Sequence, residues 1–271
     1  MQVDIQDKTI EVTKGRKKII VSTRHMIYIR DIVMQFDYYF NSVMPVDNVV
    51  DYSTPHAHKV EGFDLFPVVF PSFSEPILTT AQYTDFANLQ PGQVVIDLGA
   101  YSGLTSIVFA EKVGCDGLVI AVEADEENYE CAEKNLVSYY VRSGINIRLV
   151  HGAAWSHSKG IEFSCEQNMG SSAVDIVGGR GRVVKVPSFT LTDITNGLRR
   201  VDFVKIDIEG AESEVVKDWE FFNRYNPKMI IETHGKGTDE AVQSTLESYG
   251  YTVRHIVQEG VRFPLLECER K

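Results

Sequence analysis

The spacing of apolar residues changes character at about residue 90. From there onward, apolar runs of five or six residues alternate with segments whose apolar residues recur every three or four positions. Such runs mark buried parallel strands, and the longer spacing marks helices with one inward stripe. The pattern predicts strands near 93–98, 117–123, 145–150, 201–207 and 228–232, and helices near 102–113, 125–140, 210–223 and 239–249. Tyr129, Ala132 and Leu136 form the inward stripe of the second helix. Two further strand-like pieces, 160–164 and 183–187, flank the glycine-rich stretch Gly178-Gly179-Arg180-Gly181. Residues 251–257 and 263–268, joined by a turn at Glu259-Gly260, predict an antiparallel pair. The expected fold class is α/β: a Rossmann-like, doubly wound, mostly parallel seven-stranded sheet with a terminal antiparallel hairpin.

Residues 1–75 follow a different rule. Segments 9–12 and 18–21 read as strands around the basic turn Lys14-Gly15-Arg16-Lys17-Lys18, and residues 26–40 read as a helix. Pro45, Pro55, Pro67, Pro71 and Pro76 then favour extended chain over helix. We expect an N-terminal α+β cap over 1–75 that recognises substrate, packed on a main domain over 76–271. A helix over 76–89, closed by Pro91-Gly92, would open that domain.

Composition narrows the partners. The 271 residues are 44% apolar, enough for a full core, and carry a net charge of −11 from 27 basic and 38 acidic side chains. That balance argues against nucleic acid, which needs clustered Lys and Arg. No apolar run approaches membrane-span length, and the acidic, alternating stretch 1–7 does not read as a signal peptide. Cys115, Cys131, Cys165 and Cys268 include no C-x-x-C pair, which points to reduced thiols and a cytoplasmic location. The expected partner is a small molecule or sugar; self-association into a homo-oligomer stays open.

Candidate chemistry sits at two strand ends. Val94-Val95-Ile96-Asp97-Leu98-Gly99-Ala100-Tyr101-Ser102-Gly103 reads as a strand turning tightly into a helix, with glycines letting bare backbone approach a ligand. Twenty residues after Gly103, a second strand ends in Glu123, where a nucleoside-binding α/β fold places a carboxylate for a ribose diol. A dinucleotide fingerprint has glycine where Tyr101 stands, and Asp97 would repel a pyrophosphate. A ligand with an ammonium and a sulfonium would suit Asp97, so S-adenosylmethionine is favoured over a nicotinamide dinucleotide.

The second run is Val204-Lys205-Ile206-Asp207-Ile208-Glu209-Gly210-Ala211-Glu212. Period two puts Lys205, Asp207 and Glu209 on one side, with Asp207 facing the crevice beside Gly99. With Asp97-Leu98-Gly99-Ala100-Tyr101-Ser102-Gly103, Ala121-Val122-Glu123, Asn135-Leu136, Phe189-Thr190-Leu191 and Ile230-Ile231-Glu232, this run makes residues 70–235 resemble the FkbM-type methyltransferases. That family comprises class I S-adenosylmethionine-dependent enzymes. One departure is that Thr192 and then Asp193 follow the Thr-Leu pair, where the family often has an acid at once.

The resemblance implies that the turn Gly99, Ala100, Tyr101, Gly103 cradles the methionine moiety, with Asp97 ordering the turn or its ammonium. It further implies that Glu123 binds the ribose, that Ala124 and Asp125 border the adenine, and that Gly152-Ala153-Ala154 meets the base through backbone. Glu75 and Tyr83 would close over the methionine end, Tyr83 being equally readable as core packing. Asp207 would also touch the cofactor. The implied activity is O-methylation of a hydroxyl, which needs a base; Asp207, Glu232 and His234 are the candidates by position. N-methylation, a non-catalytic adenosyl-binding scaffold and a nicotinamide dehydrogenase are the competing readings. His56 and His58 read as exposed loop histidines more readily than as a metal pair. Mg²⁺ held by Asp207 and Glu232 ranks below a metal-free base, since no third ligand is evident.

Overall fold

The apolar runs after residue 90 build one sheet: β1 (Val94–Leu98), β2 (Leu118–Glu123), β3 (Ile147–His151), β4 (Phe203–Ile206) and β5 (Lys228–Glu232), completed by β6 (Thr252–Ile256) and β7 (Leu265–Glu269). The computed structural model describes residues 1–74, 77–166, 168, 170–178, 182–257 and 264–270. Neighbours in the sheet run β6-β7-β5-β4-β1-β2-β3. The first five strands are parallel, and β7 runs antiparallel to both β5 and β6. The chain thus winds one way from β1 to β2 and β3, and the other way to β4. Between β1 and β4 lies the switch point where open α/β sheets bind ligands.

The long apolar runs exist because helices cover both faces. Odd and even positions of one strand enter different cores: Val95, Ala121, Phe203 and Ile230 face one, and Ile96, Ile120, Val204 and Ile231 the other. Helices α1 (Ile77–Ala87), α2 (Leu104–Val113), α3 (Glu126–Ser143) and α4 (Thr238–Ser248) lie close to their predicted bounds. The expected helix over 210–223 is instead two short ones, Glu212–Val215 and Trp219–Tyr225. Asp218 ends the first and caps the second, accepting from the Phe221 amide at 3.3 Å while also binding the Thr192 amide and hydroxyl.

The N-terminal region is more ordered than its sequence suggests. Thr9–Lys14 and Lys17–Ser22 are flanked by Gln2–Ile5 and by Val49–Tyr52, which pairs parallel to Lys17–Ser22. The helix expected within 26–40 is three pieces, Thr23–Tyr28, Ile29–Met34 and Phe36–Asn41. His56 and His58 correct their loop assignment: they lie on a strand, His56–His58, paired with Val68–Phe70. His58 is buried, which pushes its imidazole down to about 4 and holds it neutral. Ile10, Val21, Tyr52 and Phe70 belong to the same apolar cluster as Val95, Leu104 and Ile107. The turn at Glu259-Gly260 and the residues 179–181 lie outside the described residues.

Candidate active site

Gly99, the first residue past β1, has φ +75°, and a Cβ there would lie 1.8 Å from the Asp207 carbonyl oxygen. The glycine is therefore demanded by the crossing of two strand ends rather than by a ligand. Gly103, with φ +76°, faces Leu136 of α3, so its role is helix packing. Between them Tyr101 takes φ +48°, a strained value for a side chain of its size. It is pinned at both ends: its amide donates to Glu123 Oε2 at 2.8 Å and its hydroxyl to the Phe73 carbonyl at 2.7 Å.

Beneath this turn lies a buried ionic hub. Asp97 and Lys205 are register partners on β1 and β4, and both are almost wholly buried. Lys205 Nζ donates to the Gly99 carbonyl at 2.7 Å and lies 3.3 Å from Asp97 Oδ1 and 3.6 Å from Asp207 Oδ2. Ser106 donates to the other Asp97 oxygen at 2.5 Å. The negative charge of Asp97 is thus neutralised within the protein. It is buried beneath the turn, outside the cavity lining, as are Ala100, Gly103 and Asp125. Asp125 caps α3 through the Glu127 and Asn128 amides and accepts from the Ser171 hydroxyl.

The wall itself has three parts. The first surrounds Glu123, Gly99 and Tyr101. Glu123 Oε1 accepts from the Asp125 amide at 2.8 Å, and burial with Asp125 nearby pushes its carboxyl up to about 7. Next to it, Ala124, Ala153, Trp155, Ile161 and Phe163 make an apolar slot.

The second part is acidic. Asp207, Glu209 and Glu232 face the cavity together with His234. Tyr83 donates to Glu232 Oε2 at 3.0 Å. Burial and the charge of Asp207 push the Glu232 carboxyl up, and burial carries Glu209 to about 7. His234 is half-buried, its side chain 17% exposed, and Glu209, Glu212 and Asp207 around it hold the imidazole well above its usual range. Period two does not reach Glu209: β4 ends at Ile206, and Glu209 turns into the cavity on a backbone with φ +54°. Sequence reasoning passed over Glu209 and Glu212 as site residues; the following Gly210 was the available sign of a turn.

The third part comes from Gln35, Tyr38, Tyr39, Thr79 and Tyr83. Tyr38 and Thr79 join their hydroxyls at 3.2 Å. No spacing rule singled out Gln35, Tyr38 or Tyr39. Glu75 lies outside the described residues.

Among comparisons with known proteins, the family model of the methyltransferase FkbM domain matches residues 97–253. The chain belongs to the FkbM methyltransferase domain family. It is therefore a methyltransferase of the S-adenosylmethionine-dependent kind. A second model, protein-L-isoaspartate(D-aspartate) O-methyltransferase, matches residues 28–156. No curated protein matches the chain.

Similar solved structures include a methyltransferase FkbM from Methylobacillus flagellatus KT, 17% identical, covering 69% of this chain and 50% of that one, with TM-score 0.48. A precorrin-6y C5,15-methyltransferase from Geobacter metallireducens is 17% identical over 70% of this chain and 86% of its own, with TM-score 0.45. An S-adenosylmethionine-dependent O-methyltransferase from Thermotoga maritima is 15% identical over 73% and 66%, with TM-score 0.44. The span matched by the FkbM domain contains the glycine turn, Glu123 and the whole acidic wall. The tyrosine wall lies outside it.

Proposed function

We propose that this FkbM-domain chain methylates a hydroxyl on a small, polar, hydroxyl-rich acceptor of the sugar or small-molecule type. The observation that carries the reading is the composition of the cavity away from Glu123: tyrosine and threonine hydroxyls on one side, carboxylates on the other. The phenylalanines of the N-terminal region, Phe63, Phe66, Phe70 and Phe73, pack in the core and are not among the residues that line the cavity. Hydroxyl-bearing rings and carboxylates can satisfy several acceptor hydroxyls at once, which an apolar wall cannot.

The residues present fit S-adenosylmethionine. Glu123 is a buried carboxylate whose donors among the described residues are neutral amides, and it lines the cavity, as a ribose diol requires. The slot of Ala124, Ala153 and Phe163 suits an adenine ring. When bound, the cofactor supplies a methyl group on sulfonium sulfur, and transfer to oxygen leaves a thioether. The protein must align the acceptor oxygen and take up its proton. Ionising an alcohol of pKa about 15.7 at pH 7 would cost about 12 kcal/mol, too much to leave to solvent. Asp207 and Glu232 at the ends of β4 and β5 are the carboxylates placed to accept that proton. His234 stands beside Asp207, with its Nδ1 3.0 Å from the buried Glu212 carboxylate.

An acidic wall would also hold an ammonium acceptor, so the test pairs alcohols with matched amines. Label from methyl-labelled S-adenosylmethionine should appear as an ether on hydroxylated acceptors. Label found only on amines would overturn O-transfer, and label on neither class would overturn the acceptor reading altogether.

A further inference from the structure

The acidic wall holds more negative charge than proton uptake requires. Asp207, Glu209, Glu212 and Glu232 gather around His234, and Lys205, the cation beside them, is shared between Asp207, Asp97 and the Gly99 carbonyl. Asp207 Oδ1 and Glu209 Oε1 lie 3.9 and 3.7 Å from His234 Nε2, and the three ligand atoms sit within 4.8 Å of one another. Those separations are too long for hydrogen bonds. A divalent ion about 2.1 Å from such donors spaces neighbouring ligand atoms roughly 3.0–3.4 Å apart, so the two contacts to His234 would close by several tenths of an ångström and the carboxylate pair, within 4.8 Å, by up to roughly 1.4–1.8 Å.

An independent observation lies behind the imidazole. Glu212 is 0% exposed, meets His234 Nδ1 at 3.0 Å, and keeps its Oε2 without a hydrogen-bond donor. Its Oε1 also accepts from the Gly210 amide, which fixes the carboxylate in place. A metal-binding histidine characteristically donates its far ring N–H to a carboxylate, which sets the tautomer and aims the near nitrogen at the ion. Glu212 is built into that position.

We propose that Asp207, Glu209 and His234 bind one divalent first-row metal ion, with Glu212 orienting the histidine. Two carboxylate oxygens and one imidazole suit Mn²⁺, Fe²⁺ or Zn²⁺ better than Ca²⁺, which takes six to eight oxygens. Three protein ligands leave positions open, and an acceptor hydroxyl in one of them would be acidified. That last role rests on the O-methylation reading; the binding of the ion does not.

The test uses the full chain, stripped of metal with a chelator, dialysed, and titrated with MnCl₂ alone while free Mn²⁺ is read by electron paramagnetic resonance. We expect one equivalent bound, displaced by Zn²⁺. Glu209→Gln should weaken binding at least tenfold, and Glu212→Gln by about 10–100-fold. His56→Ala, remote from the cluster, should leave it unchanged. Circular dichroism checks that each variant folds, and the wild-type stoichiometry stands without any variant. Absence of saturable Mn²⁺ binding by the wild type, or equal affinity in Glu209→Gln, would overturn the site. Calorimetric titration of S-adenosylhomocysteine into the same samples separates the two ideas. Mn²⁺ bound without the nucleoside would sink methyl transfer and support the ion site; the reverse would sink the ion site alone.

Discussion

Glu123→Gln gives the sharpest test of the cofactor site, because it changes charge with almost no change in shape. Glu123 is 6% exposed, and its carboxyl stands at about 7 against an ordinary 4.5. At 1.36 kcal/mol per unit, holding it ionised in this buried position costs about 3 kcal/mol. The sign follows from proton binding: between pH 4.5 and 7 the folded form keeps a proton that the unfolded form has lost, so stability falls as pH rises through that window. Gln removes this term but sets an amide NH₂ against the Tyr101 or Asp125 amide, leaving a donor unpaired at about 1–3 kcal/mol. The two nearly cancel, so the variant should fold with similar stability at pH 8 and be relatively less stable at pH 5.

Ligand binding behaves differently. Ribose hydroxyls donating to the ionised carboxylate would contribute about 1.5–3 kcal/mol each, so Gln should cost at least tenfold in S-adenosylhomocysteine affinity at pH 8. With the carboxyl at about 7, the ionised fraction falls about tenfold from pH 8 to 6. Wild-type affinity should therefore fall by up to about tenfold over that range, while the variant's stays flat. Isothermal titration at the two pH values reads both quantities. Equal affinity of wild type and variant at pH 8, or a wild-type affinity indifferent to pH, would refute the ribose contact.

Three further outcomes follow from the geometry. Gly99→Ala should destabilise the fold by about 3 kcal/mol or more in denaturant unfolding, since its Cβ meets the Asp207 carbonyl at 1.8 Å on a backbone with φ +75°; near-native stability would mean the two strand ends can part. Lys205→Met leaves Asp97 as a buried, unpaired charge and should cost about 3–5 kcal/mol in the same assay, partly restored by adding Asp97→Asn. Tyr38→Ala should raise the acceptor KM about tenfold and leave S-adenosylhomocysteine affinity unchanged, because its hydroxyl pairs with Thr79 across the cavity from Glu123; a loss of nucleoside affinity instead would place Tyr38 on the cofactor.

The sheet was legible because strands covered on both faces must be apolar at consecutive positions, which leaves short Val- and Ile-rich runs bounded by turn residues. The strand ends were legible for the same reason: Glu123 breaks an apolar run at the point where the chain leaves the core. Partners were harder to read. Asp97 was expected to order the turn or meet an ammonium group, and the residue that ties it to the turn, Lys205, lies 108 positions later and becomes adjacent only once β4 pairs with β1 in register. Glu209 was placed by extending period two beyond Ile206, where the strand had already ended. Tyr38 and Tyr39 sit on a helix of six residues, too short to show a periodic stripe. The break at Asp218 was hidden because its cap reaches back to Thr192, a contact no local rule anticipates.

Tyr101 explains why the N-terminal region and the glycine turn belong to one site. A backbone at φ +48° is held by two anchors of different origin: Glu123 from the neighbouring strand, and the Phe73 carbonyl from the segment leading out of the N-terminal sheet. Phe73 in turn packs against Tyr39 and Tyr52, whose hydroxyl joins Ser74 at 2.7 Å. The ring that shapes the cofactor turn is therefore fixed by the same packing that carries the tyrosine wall. A shift of Tyr39 on meeting an acceptor would be felt at Phe73, then at Tyr101, and so at the amide that Glu123 accepts. Because strained residues persist only where their surroundings over-determine them, loosening either anchor should relax the turn.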